Sequence, residues 1–296
     1  DDVTDVLKIT QVEDDLPKQT PEKSLQTLKQ KHKKLYNNKL EIYVPEEKMA
    51  KKREEYGNES IQTLKGAERV RKRPAVIFGS DGIEGCEHAA FEIISNSIDE
   101  ARAGYGEKII VTRYNDGSTE VEDFGRGCPV DWNNNEQRYN WELLFCELYA
   151  GGKYESASDY EFSLGLNGLG LCATQYSSEW MDAEICRDGF IYKLHFEKGE
   201  NVGGLHKEET TKRKTGSKIR WKPDNDVFTD IAIPIEWYQE VIKRQAVVNS
   251  GIIFVLRDQK ITGGFETYEY TYENGISDYV KEIAGTEAVL TGTQFW

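Results

Sequence analysis

Four polar residues, His88, Glu92, Asn96 and Glu100, recur at every fourth position of an otherwise apolar stretch. At helical spacing they stack into one stripe. The stripe gathers an imidazole, two carboxylates and a carboxamide, groups able to take a proton, orient water or ligate a hard cation. Ala89, Ala90, Phe91, Ile93, Ile94, Ile98 and Ala101 cover most of the remaining circumference, as on a helix packed under a sheet. A polar group among such neighbours costs roughly 2 kcal/mol or more unless it is partnered. The stripe therefore either faces a ligand cavity or is an ordinary solvated face, and the motifs downstream favour the cavity.

Two glycine clusters supply those motifs. Asp123-Phe124-Gly125-Arg126-Gly127-Cys128-Pro129 puts an acid at a strand end beside glycines that let a ligand approach the backbone, although a plain turn would read similarly. Gly165-Leu166-Asn167-Gly168-Leu169-Gly170 follows Ala150-Gly151-Gly152-Lys153 and an aperiodic run over 154–164. This reads as a mobile loop whose amides open onto a helix N-terminus, a suitable cradle for phosphate. Its glycine order reverses the dinucleotide fingerprint, and no strand leads into it. Gly152-Lys153 is followed by Tyr154 and lacks the preceding glycine of a Walker A loop.

The elements that must position these groups follow from periodicity. The stripe lies on a helix from Cys86 to Ala103, closed by Gly104. Lys108–Tyr114 and Thr119–Asp123 alternate as strands around Asn115-Asp116-Gly117, a hairpin signal. A helix over Glu142–Tyr149 follows, then strands over Trp180–Cys186 and Phe190–Phe196 about Asp188-Gly189, and a strand over Lys218–Lys222 after Thr215-Gly216-Ser217. A helix over Ile235–Asn249 leads to a buried strand, Ile252–Leu256. A second β pattern over Thr267–Tyr272 and Ala288–Trp296 ends in mid-strand, so the chain reads as truncated. Residues 1–55 are polar, with peripheral helices expected from Thr20-Pro21-Glu22 and over Glu46–Glu55. A basic knot, Arg71-Lys72-Arg73-Pro74, precedes the stripe helix.

Composition narrows the function classes. A net charge of −14 argues against this chain being the main docking surface for nucleic acid. Five scattered cysteines without a CxxC pair argue against a disulfide framework or a zinc site. No apolar run approaches the roughly 18 residues of a membrane span, and Asp1-Asp2-Val3-Thr4-Asp5 does not start a signal peptide. The expectation is a cytoplasmic protein without a membrane partner.

Glu92-x-x-x-Asn96-x-x-Asp99-Glu100-Ala101, Asp123-Phe124-Gly125-Arg126-Gly127, the two glycine-rich blocks and Thr215-Gly216-Ser217 together resemble the GHKL ATPases. The blocks Leu64-Lys65-Gly66, Arg71-Lys72-Arg73-Pro74, Asn249-Ser250-Gly251, Leu256-Arg257-Asp258 and Tyr272-Glu273-Asn274-Gly275-Ile276 are similar to those of the ATPase subunits of bacterial type IIA DNA topoisomerases. The resemblance runs from about Tyr56 to Trp296. It implies an α+β fold of GHKL (Bergerat) type, a two-layer sandwich with a mixed sheet, in an ATPase domain over 56–265. Residues 1–55 would be an extension, and 266–296 the first strands of a truncated transducer domain.

For the site, the resemblance implies Glu92 as general base assisted by His88, and Asn96 as the Mg²⁺ ligand. Asp123 would receive the adenine amino group, supported by Ser217. Glu100, Gly125, Arg126, Gly127 and Pro129 would line the base end. Lys153, Tyr160, Leu166, Asn167, Gly168, Leu169 and Gly170 would cover the phosphates of ATP. Phe124, Leu164, Asn167 and Ser217 depart from the family's usual residues. The implied partners are ATP, a topoisomerase A subunit and DNA reached through further domains, and a second copy clasped through Tyr56 and Ile61 on ATP binding. A gyrase-type subunit is the leading reading and its topoisomerase IV counterpart the alternative. A nucleotide-binding regulator without turnover is a third reading, which an intact Glu92 and Asn96 oppose.

Overall fold

The computed structural model describes residues 64–150, 169–211 and 214–285. These residues fall within one compact unit bounded by Thr63 and Trp296. Two short helices, α1 (Ala67–Arg71) and α2 (Pro74–Phe78), lead to the stripe helix α3 (Ile83–Arg102). Helix α2 takes Pro74 in its first turn and ends at Gly79 with φ of 81°, a conformation suited to glycine. Helix α3 begins three residues earlier than expected.

Strands β1 (Lys108–Arg113) and β2 (Thr119–Asp123) form the anticipated hairpin, with Ile109 opposite Asp123 and Arg113 opposite Thr119. A small pair, β3 (Trp132–Asn133) and β4 (Arg138–Tyr139), precedes helix α4 (Asn140–Cys146). The Glu142 carboxylate accepts the Tyr139 N–H at 3.1 Å, which starts this helix two residues earlier than periodicity suggests. Extended backbone at Glu147 stops it three residues short of the expected Tyr149. Helix α5 (Gly170–Tyr176) then leads to the meander β5 (Ser178–Arg187), β6 (Phe190–Glu197) and β7 (Glu200–Glu209), followed by β8 (Gly216–Pro223). Helix α6 (Ile235–Val248), strands β9 (Ile253–Gln259) and β10 (Phe265–Tyr270) and helix α7 (Ile276–Ala284) complete the described chain. Strand β7 and helix α7 were not anticipated: β7 is largely exposed and lacks a clear alternation, and α7 spans only nine residues.

The strands make one eight-stranded sheet in the order β10-β9-β1-β2-β8-β5-β6-β7. It is mixed, since β1 and β9 run parallel while the other neighbours run antiparallel. Strand β9 thus returns beside β1 after the whole intervening chain. The α+β sandwich implied by the resemblance is present. On the inner face Ile109, Val111, Val121, Met181, Ile185, Ile219, Trp221, Phe254 and Leu256 share a core with Cys86, Ala89, Ala90, Ile93, Ile94 and Ile98 of α3 and with Tyr238, Ile242 and Ala246 of α6. Each fully buried isoleucine of α3 contributes about 1.5–3 kcal/mol relative to exposure. The small residues at 86, 89 and 90 let the helix lie close to the sheet.

The expected domain boundary at 265/266 falls at the start of β10, which pairs with β9 from Phe265 opposite Gln259 to Tyr270 opposite Phe254. The expected peripheral helices before residue 56 and the strand over 288–296 lie outside the described residues. All five cysteines are free thiols. Among the described residues no helix is long and apolar enough to cross a membrane.

Candidate active site

The polar stripe of α3 emerges along the edge of the helix layer. Cys86, Ala89, Ala90, Ile93, Ile94 and Ile98 are buried, while His88 is exposed and Glu92, Asn96 and Glu100 are partly buried. Its four residues have distinct surroundings.

His88 Nδ1 lies 3.1 Å from the Phe78 carbonyl oxygen, and its Nε2 lies 3.2 Å from Glu92 Oε1. A carbonyl only accepts, so Nδ1 carries a proton and Nε2 is the nitrogen turned to the carboxylate. The bond to Glu92 raises the His88 pKa above its ordinary value; burial opposes the shift and the Phe78 carbonyl adds to it. Gly170, the first residue of α5, packs directly on Glu92: a Cβ there would stand 1.9 Å from Glu92 Oε2. One turn further along, the Nδ2 of Asn96 is buried without a hydrogen-bond partner among the described residues.

Glu100 ends the stripe in a fork with Arg126, whose Nε and Nη2 donate to its two oxygens at 2.8 and 2.9 Å, while the Arg126 backbone N–H donates at 2.8 Å. This bidentate pairing holds the Glu100 carboxyl below the usual range. The Arg126 guanidinium also lies 3.7 Å over the Tyr105 ring. Gly125 fits against Glu100, where a Cβ would meet Cγ at 2.3 Å.

Asp123, at the end of β2, is 9% exposed. Its Oδ1 accepts the N–H groups of Gly125 at 3.0 Å and Ser217 at 3.1 Å, and its Oδ2 accepts the Ser97 hydroxyl at 3.1 Å. Burial raises its pKa and the three donors oppose that shift. Asp123 is thus a buried acid and not the exposed one of a plain surface turn. Ser217 Oγ accepts the Cys128 N–H at 3.2 Å, and Thr215 Oγ1 donates to the Gly125 carbonyl at 2.6 Å. Gly127 has φ of 75° and no room for a Cβ beside the Cys186 carbonyl. Pro129 is exposed two residues further on.

A cavity of about 400 Å³ opens beside this turn, lined by Arg187, Asp188, Phe190, Thr210, Lys214 and Thr215 among others. It is set off from Glu92 and meets the turn through Arg187, which donates to the Gly127 carbonyl at 2.7 Å, and through Thr215. Sequence reasoning missed Ser97, Arg187 and Tyr105. Ser97 and Arg187 come from distant elements, and Tyr105 carries no motif. Among the predicted residues these contacts make two groups along α3, His88–Glu92–Gly170 and Glu100–Arg126–Gly125–Asp123–Ser217; Leu169 precedes α5. Lys153, Tyr160, Leu166, Asn167 and Gly168, together with Tyr56 and Ile61, lie outside the described residues.

No protein-family model matches the chain. It is 39% identical over 230 residues to the gyrase B protein of Thermotoga maritima, covering 78% of this chain and 35% of that protein. It is 38% identical over 242 residues to the topoisomerase 4 B protein of Staphylococcus aureus, covering 81% and 36%. The matched region is homologous to the B subunits of type IIA DNA topoisomerases. Solved structures agree. The 43K ATPase domain of Thermus thermophilus gyrase B, in complex with an aminocoumarin, superposes with a TM-score of 0.65 at 30% identity over 78% of this chain and 58% of that one. The topoisomerase IV ATP-binding domain of Francisella tularensis, in complex with a small-molecule inhibitor, gives 0.62 at 30% identity over 76% and 59%. The chain spans about a third of the length of the curated relatives it matches. Its mixed sheet and helix layer are those of the GHKL ATPase domain.

Proposed function

We propose that this chain binds and hydrolyses ATP for a type IIA topoisomerase, with gyrase B as the leading reading. One observation carries it: α3 presents Glu92, with His88 bonded to it, and two turns later along the polar stripe meets the Gly125–Arg126 turn that closes on the buried Asp123 carboxylate. A base for water and an acceptor for a nucleobase are thus held on one rigid unit.

In this reading Asp123 receives the adenine amino group, while Gly125 and Gly127 keep the wall thin enough for the base to enter. Glu92 orients water against the terminal phosphate and takes its proton. His88, anchored at Nδ1 by the Phe78 carbonyl, assists by donating Nε2–H to the Glu92 carboxylate and holding it in place. Lys153, Tyr160 and the Gly165 to Gly170 loop cover the phosphates. Mg²⁺ fits the residues present: the Asn96 carboxamide carries an oxygen suited to a hard cation, and its buried Nδ2 makes no hydrogen bond among the described residues that would commit the group elsewhere. A hard cation ligated by Asn96, phosphates and water suits that donor set, and it would neutralise phosphate charge.

The cytoplasm as its location, the division into an ATPase domain over 56–265 and a further domain from 266, and partnership with the topoisomerase's other polypeptide and with DNA belong to the same proposal. So does dimerisation on ATP binding through Tyr56 and Ile61. Topoisomerase IV is the second reading, favoured by the 38% identity to its B protein in Staphylococcus aureus. Replacing Glu92 by Ala should lower ATP hydrolysis roughly 10²- to 10⁴-fold while ATP binding persists. Equal loss of binding and turnover would remove Glu92 from the base role.

A further inference from the structure

The geometry points to Ser97 as a specificity-determining positioning residue, which commits its hydroxyl proton to Asp123 and thereby makes the floor of the base site accept a 6-amino purine and reject a 6-oxo purine. The inference rests on the proposed nucleotide reading and deepens it.

Ser97 is 5% exposed on α3, next in sequence to Asn96 but turned toward the sheet. Its Oγ donates to Asp123 Oδ2 at 3.1 Å. Asp123 Oδ1 already receives two backbone N–H groups, from Gly125 and Ser217. A carboxylate offers about four lone-pair directions. Among the described residues three are filled by protein donors, which leaves one direction, on Oδ2, for a ligand. That position accepts and cannot donate.

The adenine amino group is a donor and fits it. The 6-oxo group of hypoxanthine or guanine is an acceptor and meets only lone pairs there. Discrimination lasts while Asp123 stays ionised, which burial opposes and the Glu100 carboxylate, also on α3, opposes further. The donors from Ser97, Gly125 and Ser217 counter both. The two backbone donors cannot be removed by a side-chain change, whereas Ser97 can. Without its hydroxyl, the carboxyl is freer to hold a proton and to turn that proton toward a 6-oxo group. A buried site rejects a mismatched hydrogen-bonding group strongly only while its own polar groups keep fixed roles.

The test measures dissociation constants of ADP and inosine diphosphate by calorimetry for the whole chain, the Ser97→Ala variant and the nearly isosteric Ser97→Cys, with thermal unfolding as a check on folding. The expected result is a ratio of ADP to inosine diphosphate affinity that falls about tenfold in Ser97→Ala, on the scale of one hydrogen bond to a charged group. Ser97→Cys, whose thiol donates weakly, should move the ratio in the same direction and decides the matter if the alanine variant does not fold. Weaker binding of both nucleotides by the same factor would mean a purely structural role and overturn the inference, as would an unchanged ratio. An unsubstituted chain that bound neither nucleotide would instead overturn the nucleotide reading itself.

Discussion

At the residue scale the site separates two carboxylates by environment. Asp123 is buried among three donors, and Glu92 is partly open beside an imidazole. Asp123→Asn should weaken ADP binding by about 1.5–3 kcal/mol, the scale of a hydrogen bond to a charged acceptor, which calorimetry would show. His88 carries a pH signature. Its pKa is raised in the folded chain above the ordinary value of 6.5, so its contribution to stability is fully present below that value and is lost as pH rises through the higher folded value. Because the His88 side chain is 45% exposed, solvent screening should keep that contribution under about 1 kcal/mol. Thermal unfolding of His88→Ala against the unsubstituted chain should therefore show a deficit at pH 5.5 that shrinks at pH 8.5. A deficit that grew with pH would reverse the assignment.

At the scale of elements, two glycines that both exclude a Cβ predict different failures. At Gly170 the obstacle is the end of the flexible Glu92 side chain, with a Cβ 1.9 Å from Oε2. Gly170→Ala should thus displace the carboxylate and leave the fold: hydrolysis falls roughly 10- to 100-fold through misplacement, with stability changed by less than about 1 kcal/mol. At Gly216 the obstacle is the Asp123 backbone carbonyl, 2.2 Å from a Cβ, and φ is 143°. Gly216→Ala should accordingly destabilise the chain by about 2–4 kcal/mol in urea unfolding. The basic knot also resolves into parts. Arg71 joins α1 to the core, bonding Asp224 at 2.5 Å and the carbonyls of Tyr176 and Ser178 at 3.2 and 3.1 Å. Asp224 is 4% exposed, so Arg71→Met, which leaves that carboxylate buried, should lower the urea midpoint by an amount equal to about 3 kcal/mol without changing the slope. Lys65, Lys72 and Arg73 remain exposed.

At the scale of the whole molecule, the charge of −14 sets how the chain meets DNA. Phosphate binding scales with the number of cations that neutralise phosphates, so this chain by itself should give no retained complex with duplex DNA at about 150 mM salt in an electrophoretic shift. A stable complex under those conditions would overturn that expectation.

The sequence by itself determined the local features. The fourfold spacing of His88, Glu92, Asn96 and Glu100 placed one polar stripe on an apolar helix, and Asn115-Asp116-Gly117 marked the hairpin that delivers Asp123. Both follow from interactions within a few residues of one another, which is why periodicity and turn chemistry could reveal them. Only the tertiary structure decided that Asp123 is a closed acceptor, because its donors come from Ser97 on α3, Gly125 in the following turn and Ser217 on β8. Only the structure brought Gly170 against Glu92 and laid β9 parallel to β1, across a separation of about 140 residues that no local pattern encodes. The chemistry was written in residue types. The orientation of each group came from long-range hydrogen bonds and from packing beneath a sheet whose strand order does not follow the chain.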